Sequence, residues 1–211
     1  MDKLEQISEQ IRESFDIRNK ARDEALAVCR ILNRHAAHAI RAIHRSEVEE
    51  AHTQLEDARK LATGLRDSLA DHPDLFFSGY TQDALKEFTE AEITCALIQN
   101  QPLPTPEDLK VENATYLNGL AEVTGELRRR CMDILRQGYS QEAERLLGCM
   151  DDIYSVLVTM DYPDAITNGL RRHTDLVRGI VERTRGDLTI SLREQHLESA
   201  LADLSAKLKS G

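Results

Sequence analysis

The long stretches of this chain without glycine or proline constrain its fold more than any other feature. Residues 2–45 contain neither residue, and the chain of 211 residues holds only 10 Gly and 5 Pro. Proline removes a helix hydrogen bond and glycine carries an entropic cost, so segments that lack both can stay helical for many turns. Charged and apolar residues also recur with helical period almost from end to end. We therefore predict an all-α fold that opens with one very long helix, or two joined end to end.

The remaining composition excludes several classes of protein. Tryptophan is absent and aromatic residues make up 4%, which is too few for an all-β fold. The formal net charge of −10 excludes a uniformly basic nucleic-acid-binding protein. It leaves open a protein with a local basic surface, or one whose acids gather at a metal ion.

The location of the protein follows from what its sequence lacks. No apolar run approaches the roughly 20 residues that span a bilayer, and the first residues are charged throughout, unlike a signal peptide. The four cysteines form no Cys-x-x-Cys pair, and each has the helical spacing of a buried position. We expect free thiols, no contact with membranes and a cytoplasmic location.

The few breaks in the helical pattern divide the chain into about seven helices within one domain, residues 1–211. Thr105 has the features of a helix N-cap because Pro106 and two acids follow it. Gly138, Ser140, Pro163 and Gly186 mark further ends and starts. The predicted helices are 2–45, 46–71, a third reaching 100 with a kink at 78–80, 112–137, one from Ser140 to about 161, 163–186 and 188–208.

One segment of the first helix is basic although the chain as a whole is acidic. Residues 25–46 contain no carboxylate. On a helical wheel, five basic side chains fall within an arc of about 80° and the apolar residues lie opposite: Arg30, Arg34, His38, Arg41 and Arg45. Arginine binds phosphate through paired hydrogen bonds, so such a row could follow a nucleic-acid backbone. The alternative is a solvated face neutralised by acids of neighbouring helices. His35 and His38 alone are weak evidence for a metal.

Two pairs of glutamates have the spacing that puts both side chains on one helix face. Glu87 and Glu90 lie at i and i+3 within an unusually apolar segment, and Glu122 and Glu126 lie at i and i+4. Two carboxylates at these spacings repel each other unless a bound cation or a basic side chain neutralises their charge. The second pair could instead be a solvated face, with Glu126 paired to Arg130.

If the four carboxylates converge, they can hold one or two Mg²⁺ ions against a phosphodiester, with a free carboxylate accepting a proton. A ferritin-like di-iron site is the rival metal site. It needs two Glu-x-x-His motifs, whereas the chain has one, ending at His52.

Two motifs resemble those of the translin and translin-associated factor X (TRAX) family. Residues 115–127, TYLNGLAEVTGEL, are similar to the central motif of the family, and residues 84–91, ALKEFTEA, to the motif upstream of it. The turn at 138–140 and the basic residues Arg30, His44 and Arg45 also match. The resemblance extends from about residue 15 to residue 190, in the family's order.

This resemblance implies a seven-helix fold and an oligomeric, usually octameric, hollow shell that handles RNA or single-stranded DNA. The TRAX branch is a Mg²⁺-dependent endoribonuclease, and its catalytic acids match Glu87, Glu90, Glu122 and Glu126. The translin branch binds nucleic acid without the full acidic set. Glu122 stands where eukaryotic TRAX proteins have aspartate, which changes the reach of that ligand. The short loop at 101–108 replaces a longer insertion, which suggests a compact, archaeal-type homologue built from one kind of chain.

The combined prediction is a homo-octameric, TRAX-like endoribonuclease. It would hydrolyse single-stranded RNA with Mg²⁺, or alternatively Mn²⁺, at the four glutamates. RNA is the expected partner, with single-stranded DNA as a second, and Arg30, Arg34, Arg41 and Arg45 would guide the strand. The alternatives are a non-catalytic protein that binds RNA or single-stranded DNA, and a purely structural helical oligomer with solvated acids.

Overall fold

The structure, a computed structural model, describes residues 2–209 and is all-α over that range. These residues form nine α-helices and no strand. The helices are α1 (Asp2–His44), α2 (Val48–Ser68), α3 (Pro73–Phe76), α4 (Gly79–Ile98), α5 (Pro106–Leu109), α6 (Asn113–Leu135), α7 (Gln141–Leu157), α8 (Asp164–Thr167) and α9 (Leu170–Lys209). The all-α prediction is confirmed, and the number of seven helices is wrong.

The difference in helix number has two local causes. The helices α3, α5 and α8 are single turns of 4 residues, and a proline lies at the start of each. In the opposite direction, α9 continues for 40 residues through Gly186, where the sequence predicted an end. Glycine inside a helix costs about 1 kcal/mol relative to alanine. Leu188 is buried just beyond it, and burying a leucine side chain contributes about 1.5–3 kcal/mol, so continuing the helix is favourable.

The predicted capping residues behave as expected. The Thr105 hydroxyl accepts a hydrogen bond from the Asp108 backbone N–H at 3.1 Å, and the Asp108 carboxylate accepts one from the Thr105 N–H at 2.9 Å. The Thr105 N–H and the Thr105 hydroxyl both donate to the Asp108 carboxylate, and these two bonds lower the pKa of Asp108 because they favour its ionised form. Ser140 accepts from the Glu142 N–H at the start of α7. Both N-caps were identifiable because capping depends only on residues within one turn.

The described chain divides into two compact units, and we describe each by itself. The first contains residues 2–95 and 104–116. Its α1 and α2 pack along one another. Its hydrophobic core contains residues of α1, α2, α4 and the short helices α3 and α5, among them Leu32, Leu65 and Phe88. The middle of α1 and the C-terminal half of α2 therefore pack into one hydrophobic core. That a single domain spans 1–211 stays a prediction.

The second unit contains residues 96–103 and 117–209. Its α7 packs against α9, with Met150 and Val181 both buried. An ion pair of 2.8 Å between Arg128 and Asp187 links α6 to α9. None of the helices in residues 2–209 has the length and hydropathy needed to cross a bilayer.

The cysteines are free, as predicted. Cys29, Cys95 and Cys131 are buried, and Cys149 is half-buried. Burial raises the pKa of the Cys95 and Cys131 thiols to about 12. Both thiols therefore stay protonated near neutral pH, which makes them packing residues rather than nucleophiles.

Each unit leaves an apolar helix stripe uncovered in the single chain. Towards the C-terminal end of α9, four exposed leucines follow a spacing of four, three and four residues: Leu197, Leu201, Leu204 and Leu208. In the first half of α1 five large apolar residues are exposed: Leu4, Ile7, Ile11, Phe15 and Ile17. Contiguous exposed apolar surface is typical of an interaction face.

Candidate acidic and basic sites

The basic face of α1 has the orientation that the sequence predicted. Arg30, Arg34, Arg41 and Arg45 are exposed, whereas the opposite side carries the buried Leu32, Ala36 and Ile43. Within residues 2–209, no ion pair joins any of these four arginines to a carboxylate. Neutralisation by acids of neighbouring helices, the alternative considered from the sequence, is therefore not found in the described part of the chain. We call these four residues the arginine row.

The two histidines beside the row differ in their surroundings. His38 is exposed, whereas His35 is half-buried. The Nδ1 atom of His35 lies 2.7 Å from Oε1 of Gln54 on α2. His35 therefore sits where the basic face meets α2, and its ring is held by a neighbouring helix.

The first acidic pair lies in the first unit, on α4. Glu87 and Glu90 are both half-buried. Phe88, Thr89 and Ala91 between and beside them are buried, so the pair emerges at the edge of the core. Carboxylates in such a position are more costly than fully solvated ones. The apolar context noted in the sequence is confirmed.

The second acidic pair lies in the second unit, on α6. Glu122 and Glu126 are also half-buried, next to the buried Val123 and Leu127. Oε2 of Glu126 lies 3.6 Å from Nη1 of Arg129. The sequence named Arg130 as the base for Glu126. The structure has an ion pair between Glu126 and Arg129, three residues on, and both glutamates are half-buried rather than fully solvated. The pairing of Glu126 with Arg130 stays a prediction.

The donor chemistry of each pair fits Mg²⁺. In residues 2–209, no group of three or more His, Cys, Asp or Glu is arranged as a metal-binding cluster. Mg²⁺ is commonly held by one or two carboxylates and keeps several waters, so it does not require such a cluster. Each glutamate pair supplies two carboxylates within one turn of helix. The assignment of Glu87, Glu90, Glu122 and Glu126 as metal ligands stays a prediction.

Glu92, the most buried carboxylate near the first pair, was not predicted from the sequence. The Glu92 side chain is 3% exposed, and its Oε2 accepts a hydrogen bond from Nη2 of Arg59 at 2.6 Å. Its Oε1 is buried without a hydrogen-bond partner in residues 2–209. Its neighbours Ala91 and Ile93 are apolar and buried, and Glu92 is itself more deeply buried than Glu87 and Glu90. This ion pair joins α4 to α2.

We expect wild-type protein to lose stability relative to Glu92→Gln as the pH rises. Burial raises the pKa of Glu92, and the hydrogen bond and charge of Arg59 oppose that shift less strongly. The folded chain therefore holds this proton more tightly than the unfolded chain. The stability that this proton contributes is fully present below about pH 4.3, the ordinary pKa of glutamate. It is lost as the pH rises through the pKa that Glu92 has in the folded protein. Urea unfolding of both proteins between pH 4 and pH 8 measures the effect.

Asp108→Asn is the control, because the stability contributed by Asp108 should change with pH in the opposite direction to that contributed by Glu92. The pKa of Asp108 is lowered, so its contribution to stability is present above the ordinary pKa of aspartate and is lost as pH falls. A wild type that instead gains stability over Glu92→Gln with rising pH would mean that the Arg59 ion pair outweighs burial.

Comparison with known proteins identifies the family. The model of the translin family matches residues 2–184. An uncharacterised protein of Methanocaldococcus jannaschii is 33% identical over 195 residues, which cover 89% of this chain and 86% of that protein. The chain belongs to the translin family. In this translin-family protein, α9 continues to Lys209, beyond the matched residues.

Solved structures show the same fold. AfC3PO in complex with duplex RNA matches with a TM-score of 0.82 and 34% identity, over 88% of this chain and 96% of that one. AfC3PO alone matches with a TM-score of 0.81 and 34% identity, over 88% and 97% of the two chains. Apo-NeC3PO has a TM-score of 0.79 at 20% identity, over 87% and 96%, and at that identity the match concerns the fold alone. The translin-like fold expected from the sequence motifs is thus confirmed.

Proposed function

We propose that this translin-family protein is a Mg²⁺-dependent endoribonuclease of the TRAX-like branch that hydrolyses single-stranded RNA. The main support is the acidic set. All four positions that match the catalytic acids of that branch are glutamates, and all four are half-buried on α4 and α6. A carboxylate that is partly removed from water is suited to hold a cation or to move a proton.

The four glutamates would hold Mg²⁺ through their carboxylate oxygens. When bound, the ion supplies charge neutralisation at the phosphate and lowers the pKa of a coordinated water. A carboxylate oxygen of Glu126 or Glu90 that is not engaged in holding the ion can accept the proton of the attacking water. Hydrolysis adds one water and breaks one P–O bond, so no other co-reactant is needed.

The arginine row would bind the RNA backbone. Its four guanidinium groups are exposed at intervals of one or two helical turns, and no ion pair within residues 2–209 joins them to a carboxylate. Guanidinium groups pair with phosphate oxygens irrespective of sequence. The similarity to AfC3PO, which was solved with duplex RNA, supports RNA as the ligand class. Single-stranded RNA remains our proposed substrate, because an unpaired strand can reach an enclosed site.

We further propose that the protein acts as a homo-octamer in the cytoplasm. Exposed leucines on α9 and exposed apolar residues at the start of α1 are surfaces that association would cover. A single kind of chain provides both stripes. Light scattering on the purified protein should give eight times the chain mass of 23.9 kDa.

The decisive experiment incubates the same preparation with a labelled single-stranded RNA in Mg²⁺, in Mn²⁺ and in EDTA. We expect internal cleavage with either metal and none with EDTA. Binding without cleavage under all three conditions would contradict the nuclease and support a non-catalytic RNA-binding protein. No group of three or more potential metal ligands is found in residues 2–209, so the experiment must distinguish the non-catalytic RNA-binding protein from the nuclease. An absence of binding would contradict both.

A further inference from the structure

A relay of three side chains links the basic helix α1 to a carboxylate on α2. Gln54 donates a hydrogen bond from Nε2 to Oε1 of Glu50 at 2.8 Å. On its other side, Oε1 of Gln54 lies 2.7 Å from Nδ1 of His35. All three residues belong to the first unit, and neither glutamine-mediated contact was evident from the sequence.

This relay determines which ring nitrogen of His35 carries the proton. The Glu50 carboxylate oxygen accepts the hydrogen bond, so the amide nitrogen of Gln54 faces Glu50 and the amide oxygen faces His35. An amide oxygen also only accepts, and Nδ1 of His35 must therefore be the donor. Neutral His35 then presents a lone pair at Nε2. Within residues 2–209 no hydrogen-bond partner is found for Nε2.

His35 lies directly beside the arginine row. It follows Arg34 in the chain and precedes the exposed His38 by three residues, which places it about 60° from His38 around the helix. His35 is half-buried, whereas Arg34 and His38 are exposed. A nucleic-acid strand whose phosphates bind along the arginine row would place its sugars next to His35.

The arginine row alone cannot distinguish RNA from DNA, because both have the same phosphates. The 2′-hydroxyl is the group that differs, and it can donate one hydrogen bond to an oriented acceptor. Most basic side chains on this face cannot provide one, since guanidinium groups only donate. A neutral histidine with its proton held at Nδ1 is a suitable acceptor.

We propose that Nε2 of His35 accepts a hydrogen bond from a ribose 2′-hydroxyl of the bound strand and so gives this protein its preference for RNA over DNA. Gln54 and Glu50 act as positioning residues that hold the imidazole in the accepting tautomer. The inference rests on the RNA binding in the proposed function and does not depend on cleavage. His35 is a specificity-determining residue, with no part in the hydrolytic step.

The test measures binding by fluorescence anisotropy in EDTA, which separates binding from any cleavage. The probes are a labelled single-stranded RNA and the DNA strand of the same sequence. For wild type we expect tighter binding of RNA. His35→Ala should reduce the ratio of DNA to RNA dissociation constants by roughly three- to tenfold, the range for loss of one hydrogen bond. Gln54→Met, which removes the acceptor for Nδ1, should reduce the same ratio without altering His35.

The matched control is His38→Ala, which removes an exposed histidine one turn along the same helix. It should change RNA and DNA binding by equal factors and leave the ratio unaltered. An unchanged ratio in His35→Ala, with folding verified by circular dichroism, would overturn the inference while leaving RNA binding intact. Equal wild-type affinities for RNA and DNA would do the same. A wild type that binds neither strand would overturn the proposed function, and the inference with it.

Discussion

Replacement of Glu87 by glutamine is expected to abolish Mg²⁺-dependent cleavage of RNA while leaving the fold intact. Glutamine keeps the shape of the side chain and removes its charge, so the proposed Mg²⁺ site loses one of its four carboxylates. Loss of a positioned catalytic group typically reduces the rate by on the order of 10²–10⁴-fold. The initial rate of cleavage of a labelled single-stranded RNA measures the effect, with Glu126→Gln as the corresponding change on α6.

Asp83→Asn is the matched control for this prediction. Asp83 is an exposed carboxylate on the same helix, α4, so its loss changes the net charge equally and leaves both Glu87 and Glu90 in place. We expect its cleavage rate to stay within about twofold of wild type, because exposed charges contribute little. Equal rates in Glu87→Gln and wild type would remove Glu87 from the site. Equal loss in Glu87→Gln and Asp83→Asn would indicate a general effect of charge.

Replacement of Phe88 by alanine is expected to destabilise the protein by about 3–5 kcal/mol, as for other buried phenylalanines. Phe88 is 1% exposed and belongs to the core cluster of the first unit. It lies between Glu87 and Glu90 in sequence, so the same turn of α4 anchors the helix and presents the acids. Urea unfolding at one fixed protein concentration measures the change, because association would make stability concentration-dependent.

Phe77→Ala is the control, since Phe77 is 60% exposed. Its ring contacts Phe76 edge-on with centroids 5.1 Å apart, and such a pair is worth about 0.5–1.5 kcal/mol. The expected loss is therefore well below that of Phe88→Ala. Similar losses for the two variants would show that the cavity left by Phe88 is filled by its neighbours.

Much of the fold was predictable because its determinants are local. The helical period placed Arg34 outside and Leu32 inside on α1, and the structure has both there. The caps at Thr105 and Ser140 were identified from residues within one turn. The family motifs correctly predicted a translin-like fold, because the motif residues of α4 and α6 are consecutive in sequence. The sequence also singled out the carboxylate pairs, whose use in metal binding remains for the experiments above.

Where the sequence analysis failed, the deciding contacts join residues far apart in the chain. Gly186 was predicted to end a helix, yet α9 continues through it, because burial of neighbouring residues outweighs the local cost of glycine. Glu92 was overlooked, since only the packing of α4 against α2 makes it more buried than Glu87 and brings Arg59 to it.

The sequence by itself determined the helical class, the two faces of α1 and the positions of the acidic pairs, because helical periodicity and capping act over a few residues. Only the tertiary structure decided which polar groups are removed from water. The burial of Glu92, and the contact between His35 and Gln54 that selects one tautomer, depend on two helices meeting in one register. Desolvation and hydrogen bonding across helices are properties of the packed chain, and no local pattern specifies them.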